Sequence, residues 1–146
     1  MSVLSGVLAA LSGALMAVQG SINSALGKQV GVLMATLIVH VVGTGFTLLL
    51  MLLPLSRGGK SASFWQVPWY LYVGGVLGVG IVYLVVVSIA RLGVAAATTL
   101  IIVGQVGTAL LIDELGLFGI PRTAFTWLKA LGLVLLAVGA SFILRK

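Results

Sequence analysis

The first apolar segment of the chain carries three different surfaces along one predicted helix. Glycine recurs every seven residues, at Gly6, Gly13, Gly20 and Gly27. Because an α-helix turns by about 100° per residue, these glycines form one stripe with three other small side chains, Ala10, Ala17 and Ser24. Beside this glycine stripe runs a polar strip, made up of Ser5, Ser12, Gln19 and Asn23. Helices in lipid associate through small residues and interhelical hydrogen bonds, so both features predict helix–helix contacts.

Long apolar runs separated by short polar segments predict five membrane-spanning helices. Their predicted bounds are residues 3–26, 31–53, 69–90, 93–112 and 124–144. About twenty apolar residues suffice to cross a hydrocarbon core of roughly 30 Å. The predicted connections are Gly27–Val30, Pro54–Pro68, Arg91–Leu92 and Asp113–Thr123. Trp65, Trp69 and Tyr70 predict an interfacial aromatic belt. We expect one all-α transmembrane domain over residues 1–146.

The composition supports a membrane protein and excludes other classes. Hydrophobic residues make up 61% of the chain and charged residues 7%, with a mean hydropathy of +1.31. A soluble domain of this length could not bury so much apolar material. The net charge of +6 comes from basic residues scattered near segment ends, which indicates headgroup anchoring rather than nucleic-acid binding. The chain has no cysteine, and its first apolar run is too long for a cleaved signal peptide.

Three polar side chains are predicted at one depth near the middle of the bilayer. They are Gln19 in helix 1, His40 in helix 2 and Gln105 in helix 4, and the rise of about 1.5 Å per residue places them within several ångströms of one level. His40 shares its helix face with Thr36 and Thr44. The level is interpreted as a cavity lining or as separate interhelical hydrogen bonds. His40 is either functional, as intramembrane ionisable residues commonly are, or a neutral imidazole bonded to a threonine or a carbonyl.

Candidate binding and coupling residues follow from these patterns. The substrate-binding candidates are Gln19, Asn23, His40, Gln105, Ser12, Thr44 and Tyr83. The only carboxylates, Asp113 and Glu114, are adjacent at the end of helix 4, where they either anchor the following loop or join His40 as proton-coupling candidates. Neither a nucleophile–base pair nor a metal-ligand cluster is evident, so we expect no enzyme activity, no metal and no cofactor.

The basic residues are divided equally between the two predicted sides of the membrane. One side holds Lys28, Arg91, Arg145 and Lys146, and the other holds Arg57, Lys60, Arg122 and Lys129. Orientation follows from an asymmetry of Lys and Arg between the sides, and here there is none. We therefore expect insertion in both orientations and an antiparallel homodimer, which resembles the inverted repeats of larger transporters.

Several sequence pieces together resemble a known family. They are Gln19-Gly-Ser-Ile-Asn23, Leu26-Gly27, Val39-His-Val-Val-Gly43, Arg91-Leu-Gly-Val-Ala95, Gly104-Gln105, Asp113, Gly116-Leu-Phe-Gly-Ile-Pro121 and the segment from Leu131 to Gly139. The chain resembles the drug/metabolite transporter superfamily, and within it the five-helix YdcZ-type inner-membrane exporters. The resemblance implies a five-helix unit, paired with or fused to an inverted partner, that exports small molecules.

One departure from related proteins concerns energy coupling. Small multidrug resistance proteins, which are distantly similar, place a proton-binding glutamate in the middle of helix 1. This chain has no carboxylate in that helix, and its nearest polar residue, Gln19, does not titrate. Proton coupling would then fall to His40, Asp113 or Glu114, and imidazole is the side chain that changes charge nearest neutral pH.

These observations predict a prokaryotic inner-membrane transporter that works by alternating access as an antiparallel homodimer. Its expected partners are a small organic substrate, the lipid bilayer and a second copy of the chain, without nucleic acid. Two other classes stay open: a passive ion channel of the same architecture, and a non-transporting membrane subunit of a larger assembly.

Overall fold

The computed structural model describes residues 3–53 and 67–145. Five helices form within these ranges: α1 (Val3–Val30), α2 (Val32–Met51), α3 (Val73–Leu92), α4 (Val94–Leu115) and α5 (Trp127–Leu144). A short 3₁₀ turn, Trp69–Tyr72, leads into α3, and no strand occurs in the described part of the chain. The features predicted at Pro54, Arg57, Lys60, Trp65 and Lys146 lie outside the described residues.

All five helices are long and apolar enough to cross a membrane, counting the turn before α3 with that helix. Most of their large aliphatic side chains are exposed, as Leu15 at 68% and Ile22 at 62% illustrate on the aliphatic back of α1. Lipid solvates such side chains as well as a protein interior does. An all-helical membrane protein with five candidate spans is therefore the observed fold class.

Two of the predicted turns lie a few residues later than the sequence pattern placed them. Helix α1 continues through Gly27 and Lys28 to Val30, and the chain turns at Gly31, whose φ of 85° is left-handed. Helix α3 likewise includes Arg91, and the turn falls on Gly93 with a φ of 84°. A side chain at such a φ is strained whereas glycine is not, which explains why these two glycines, and not the predicted residues, end the helices.

The chain divides into two compact units, Met1–Ala90 and Arg91–Lys146. In the first unit α1 packs along α2, and side chains of α3 reach the glycines of α1. A Cβ atom on Gly20 would lie 2.9 Å from Ile89 Cδ1, and one on Gly27 would lie 2.8 Å from Val86 Cγ1. The buried core of this unit therefore joins Val86 and Ile89 to the second half of the glycine stripe.

The first half of the glycine stripe is not filled in the same way. Nothing described lies within 4 Å of a Cβ built on Gly6 or Gly13, whereas Ser24, between Gly20 and Gly27, is buried. The predicted packing face is thus confirmed for Gly20 and Gly27. At Gly6 and Gly13 this packing face has no described neighbour within 4 Å.

In the second unit α4 packs along α5, and the loop between them is held by Glu114. The Glu114 carboxylate accepts hydrogen bonds from the Phe125 backbone N–H and, at 3.4 Å, from Arg122 Nη2. Arg122 Nε also donates to the Glu114 carbonyl oxygen at 2.6 Å, and the Thr123 N–H donates to the Asp113 carbonyl oxygen at 2.8 Å. These bonds agree with the interpretation in which Asp113 and Glu114 anchor the loop after α4.

Candidate functional site

Four polar residues of the first unit line an open groove formed by its three helices. The groove has a volume of about 420 Å³, and the residues that line it are Gln19, Val39, His40, Gly43, Thr44, Thr47, Leu48 and Val82. Pockets for small organic ligands typically have volumes of about 300–1,000 Å³. We call this space the polar groove.

Helix geometry explains why Gln19 and His40 meet in the polar groove. Gln19 lies about 18 Å along α1 from the Gly31 turn, and His40 lies about 14 Å along α2 from the same turn, at about 1.5 Å per residue. The two helices pack along each other, so the side chains occupy similar depths. Thr44 follows one turn after His40 on the same face of α2, and Val82 contributes from α3.

The hydrogen bonds of His40 define what its ring can offer to a ligand. His40 Nδ1 lies 2.8 Å from the Thr36 carbonyl oxygen. A carbonyl oxygen can only accept, so Nδ1 carries the hydrogen, and Nε2 of the neutral ring is an acceptor. Nε2 is directed towards α3, 3.7 Å from the position of a Cβ on Gly78. The ring thus makes the backbone bond expected of a neutral imidazole and keeps one nitrogen for another partner.

Two threonines near His40, Thr36 and Thr47, use their hydroxyl hydrogens within their own helix. Thr36 Oγ1 donates to the Val32 carbonyl oxygen at 2.9 Å, and Thr47 Oγ1 donates to the Gly43 carbonyl oxygen at 2.9 Å. Such back-bonding leaves the oxygen lone pairs as acceptors. Thr36 is buried, at 1% exposure, while Thr47 faces the polar groove.

The remaining predicted binding residues lie at varied places. Asn23, which is 6% exposed, shares a second groove on α1 with Gln19. Ser12 donates to the Ala9 carbonyl oxygen at 2.8 Å. Tyr83 is an exposed residue of α3, at 41%, and Gln105 is an exposed residue of α4 in the other unit. The binding roles of all seven candidates, including Gln19, His40 and Thr44 in the polar groove, stay predictions.

The predicted proton-coupling residues have structural partners. His40 and Glu114 make the bonds described above, and Asp113 holds the loop through its backbone carbonyl. Their part in coupling stays a prediction. Across the described ranges, no group of three or more His, Cys, Asp or Glu side chains could hold a metal ion.

Sequence reasoning missed the turn glycines, although a repeated signal marks them. Gly-Val-x-x-Ala-Thr occurs from Gly31 to Thr36 and again from Gly93 to Thr98. Both glycines have similar left-handed backbones, with ψ values of 150° and 165°. The alanines four residues later, Ala35 and Ala97, are 0% and 1% exposed. The shared motif therefore indicates two turns of the same local design.

Comparison with known proteins identifies the family. No curated protein and no solved structure matches the chain significantly. Residues 4–142 match the family described as "Putative inner membrane exporter, YdcZ", which confirms the resemblance noted in the sequence. The match covers almost the whole chain and fits a transporter rather than an enzyme. With five helices able to span a membrane, the chain is a multi-pass protein of the inner membrane and belongs to the YdcZ family of inner-membrane exporters.

Proposed function

We propose that the chain exports small polar or amphipathic organic molecules by alternating access as an antiparallel homodimer. The polar groove is the observation that carries the proposal. Gln19, His40 and Thr44 line a space of ligand size within helices that are mostly apolar. Polar side chains at membrane depth are costly and commonly mark a transport path, so a substrate that exchanges hydrogen bonds with them accounts for their presence.

The antiparallel arrangement is supported by the equal division of basic residues between the two predicted sides, four on each. Two copies in opposite orientations would be related by a two-fold axis in the membrane plane, as inverted repeats are, with the binding site near the midplane. Rocking of one copy against the other would then open the same site to either side.

Orientation is tested with two single-cysteine variants, because the chain has no native cysteine. Ser61→Cys lies in the long predicted loop, outside the described residues, and Gln29→Cys lies at the opposite predicted face, where Gln29 is exposed. A membrane-impermeant maleimide should label about half of each variant in intact cells and all of each after permeabilisation. Full labelling of one variant and none of the other would establish a single orientation and refute the antiparallel homodimer.

Assembly is tested with oppositely biased copies. Gln29→Lys adds a basic residue to one predicted side, and Ser61→Lys adds one to the other, which biases orientation in opposite directions. Differently tagged copies of the two variants should co-purify as a dimer, whereas two tagged copies of the same variant should not. Equal co-purification of both combinations would contradict an antiparallel pair.

The role of Gln19 is tested by transport. Small amphipathic fluorescent dyes are screened for efflux from dye-loaded intact cells above the efflux of cells that lack the protein. Gln19→Leu should abolish this efflux while the dimer persists in size-exclusion chromatography, because leucine cannot exchange hydrogen bonds with a substrate. Val7→Leu, at an exposed position of α1 outside the groove linings, is the matched control. Efflux that survives Gln19→Leu would assign Gln19 a structural role.

A further inference from the structure

Another groove, larger than the polar groove, lies beside it in the first unit. It has a volume of about 630 Å³ and lies along the first half of α2, with Leu33, Met34 and Leu37 on one side and Val79 of α3 on the other. Thr36 also lines it, but the Thr36 hydroxyl donates to the Val32 carbonyl oxygen. We call this space the apolar groove, because its lining is almost entirely aliphatic.

The two grooves adjoin at His40, which lines both of them. Its Nδ1 hydrogen is committed to the Thr36 carbonyl oxygen, so Nε2 is the atom that the ring can direct to a ligand. Thr47 likewise presents an acceptor oxygen, because its hydroxyl donates to the Gly43 carbonyl oxygen. Among these polar groups, Gln19 can both donate and accept. At the junction of the two grooves the neutral His40 ring therefore presents an acceptor, Nε2, which a ligand with a hydrogen-bond donor can use.

The charges of the chain narrow the ligand further. Both carboxylates of the sequence, Asp113 and Glu114, come after the helices of the first unit. A cationic head in the polar groove would find no counter-charge on α1, α2 or α3, and an unpaired charge in a low-dielectric site is costly. The site thus favours an uncharged head with a hydroxyl or N–H donor, attached to an aliphatic tail.

We propose that the substrate is an uncharged amphipathic molecule, an alcohol or an amide with an alkyl tail. Its head donates a hydrogen bond to His40 Nε2 in the polar groove, and its tail occupies the apolar groove beside Leu37 and Val79. This inference rests on the proposed export function and names the substrate class of the same site. It also gives His40 a binding role that does not require a change of charge.

Photolabelling tests the proposal on the full chain in lipid nanodiscs. The probe is octanol with a diazirine in its alkyl chain, and the comparison probe is the matching diazirine alkane without the hydroxyl. Photo-octanol should label the apolar-groove residues Leu33, Met34, Leu37 and Val79 saturably, with competition by unlabelled octanol. The alkane should label them weakly and without saturation. Equal labelling by both probes, without competition, would show an ordinary lipid-facing surface and overturn the proposal.

Three variants connect the labelling to the two grooves. His40→Phe keeps an aromatic ring but removes both ring nitrogens, the Nε2 acceptor and the Nδ1 donor to Thr36. It should raise the octanol concentration for half-saturation about tenfold, as expected for one lost hydrogen bond to the ligand. Leu37→Trp fills the apolar groove and should reduce saturable labelling strongly. Val42→Trp adds the same bulk to an exposed position of α2, 65% exposed, outside both groove linings, and should leave labelling unchanged. Unchanged labelling in His40→Phe and Leu37→Trp would refute the proposed site.

Different measurements test the proposed substrate class and the antiparallel exporter. If maleimide labels about half of each cysteine variant while both photoprobes label the apolar groove equally, the proposed substrate class is overturned. The antiparallel exporter is then retained. Saturable, hydroxyl-dependent labelling together with one fixed orientation would support the ligand site and overturn the antiparallel homodimer.

Discussion

The substitution Gly27→Ala should destabilise the protein, although alanine is the better helix former in general. The added methyl group would lie 2.8 Å from Val86 Cγ1, about 0.7 Å closer than carbon atoms pack. Val86 is 1% exposed, and a valine in a helix is held near one χ1 rotamer. Because the neighbour cannot turn away, α1 and α3 must move apart, and overpacking of this kind costs about 1–3 kcal/mol.

The other glycines of the stripe provide a graded series of controls. At Gly20 a Cβ would lie 2.9 Å from Ile89 Cδ1, the flexible end of its side chain, and 3.0 Å from Val85 Cγ1. We therefore expect Gly20→Ala to cost less than Gly27→Ala. At Gly13 nothing described lies within 4 Å, so Gly13→Ala should be neutral or stabilise by up to about 1 kcal/mol through helix propensity.

The assay is unfolding in mixed micelles with increasing SDS, followed by tryptophan fluorescence. The expected order of unfolding midpoints is Gly13→Ala, then Gly20→Ala, then Gly27→Ala as the lowest. The double variant Gly27→Ala/Val86→Ala should lose less stability than the sum of the single variants, because removing Val86 Cγ1 makes room for the methyl group. Equal midpoints for Gly13→Ala and Gly27→Ala, or strict additivity in the double variant, would refute the packing argument.

Two further predictions concern the turns and the loop of the second unit. Gly31→Ala should lower stability by about 1–3 kcal/mol, because Gly31, at φ 85° and ψ 150°, has a backbone conformation essentially restricted to glycine. Gly45→Ala, within α2 and without a neighbour inside 4 Å, should not lower stability. SDS unfolding of both variants checks this, and equal midpoints would contradict it. Glu114→Ala should speed hydrogen exchange at the Phe125 amide, whereas Glu114→Gln should retain most protection because its amide oxygen still accepts. Arg122→Met should change stability little, since exposed ion pairs contribute about 0–1 kcal/mol. If hydrogen exchange at the Phe125 amide is unaltered in Glu114→Ala, the anchoring role of Glu114 is refuted.

The number and nature of the helices could be predicted from the sequence alone. Crossing a membrane requires about twenty apolar residues whose backbone bonds are satisfied within the segment, and both conditions are local. The family could be recognised in the same way, because its motifs, such as the piece from Gln19 to Asn23, are distributed along the whole chain.

The turns could be predicted only approximately, because glycine serves two purposes in this chain. Gly27 is a packing contact inside α1, whereas Gly31, four residues later, is the turn. Both are glycines near the end of an apolar run. Composition does not show whether a glycine is needed because another helix packs closely against it or because its backbone has a left-handed φ. The repeated Gly-Val-x-x-Ala-Thr motif is the one local signal that separates them.

The candidate site divides in a similar way between sequence and structure. Helix periodicity predicted that Gln19 and His40 lie at similar depths, and in the structure both side chains line the polar groove. The ring nitrogen that faces a ligand depended on the bond from His40 to Thr36, which periodicity does not specify. The apolar groove depended on Val79 of α3 lying beside α2, a contact between residues distant in sequence.

The sequence by itself thus determined which segments are able to enter the membrane and which residues of those segments are polar. Only the tertiary structure decided which half of the glycine stripe is filled, where the helices turn, and how the polar and apolar grooves meet at His40. The physical reason is that insertion depends on the composition of each segment, whereas packing depends on which side chains of other helices, such as Val86 and Ile89, reach a given surface.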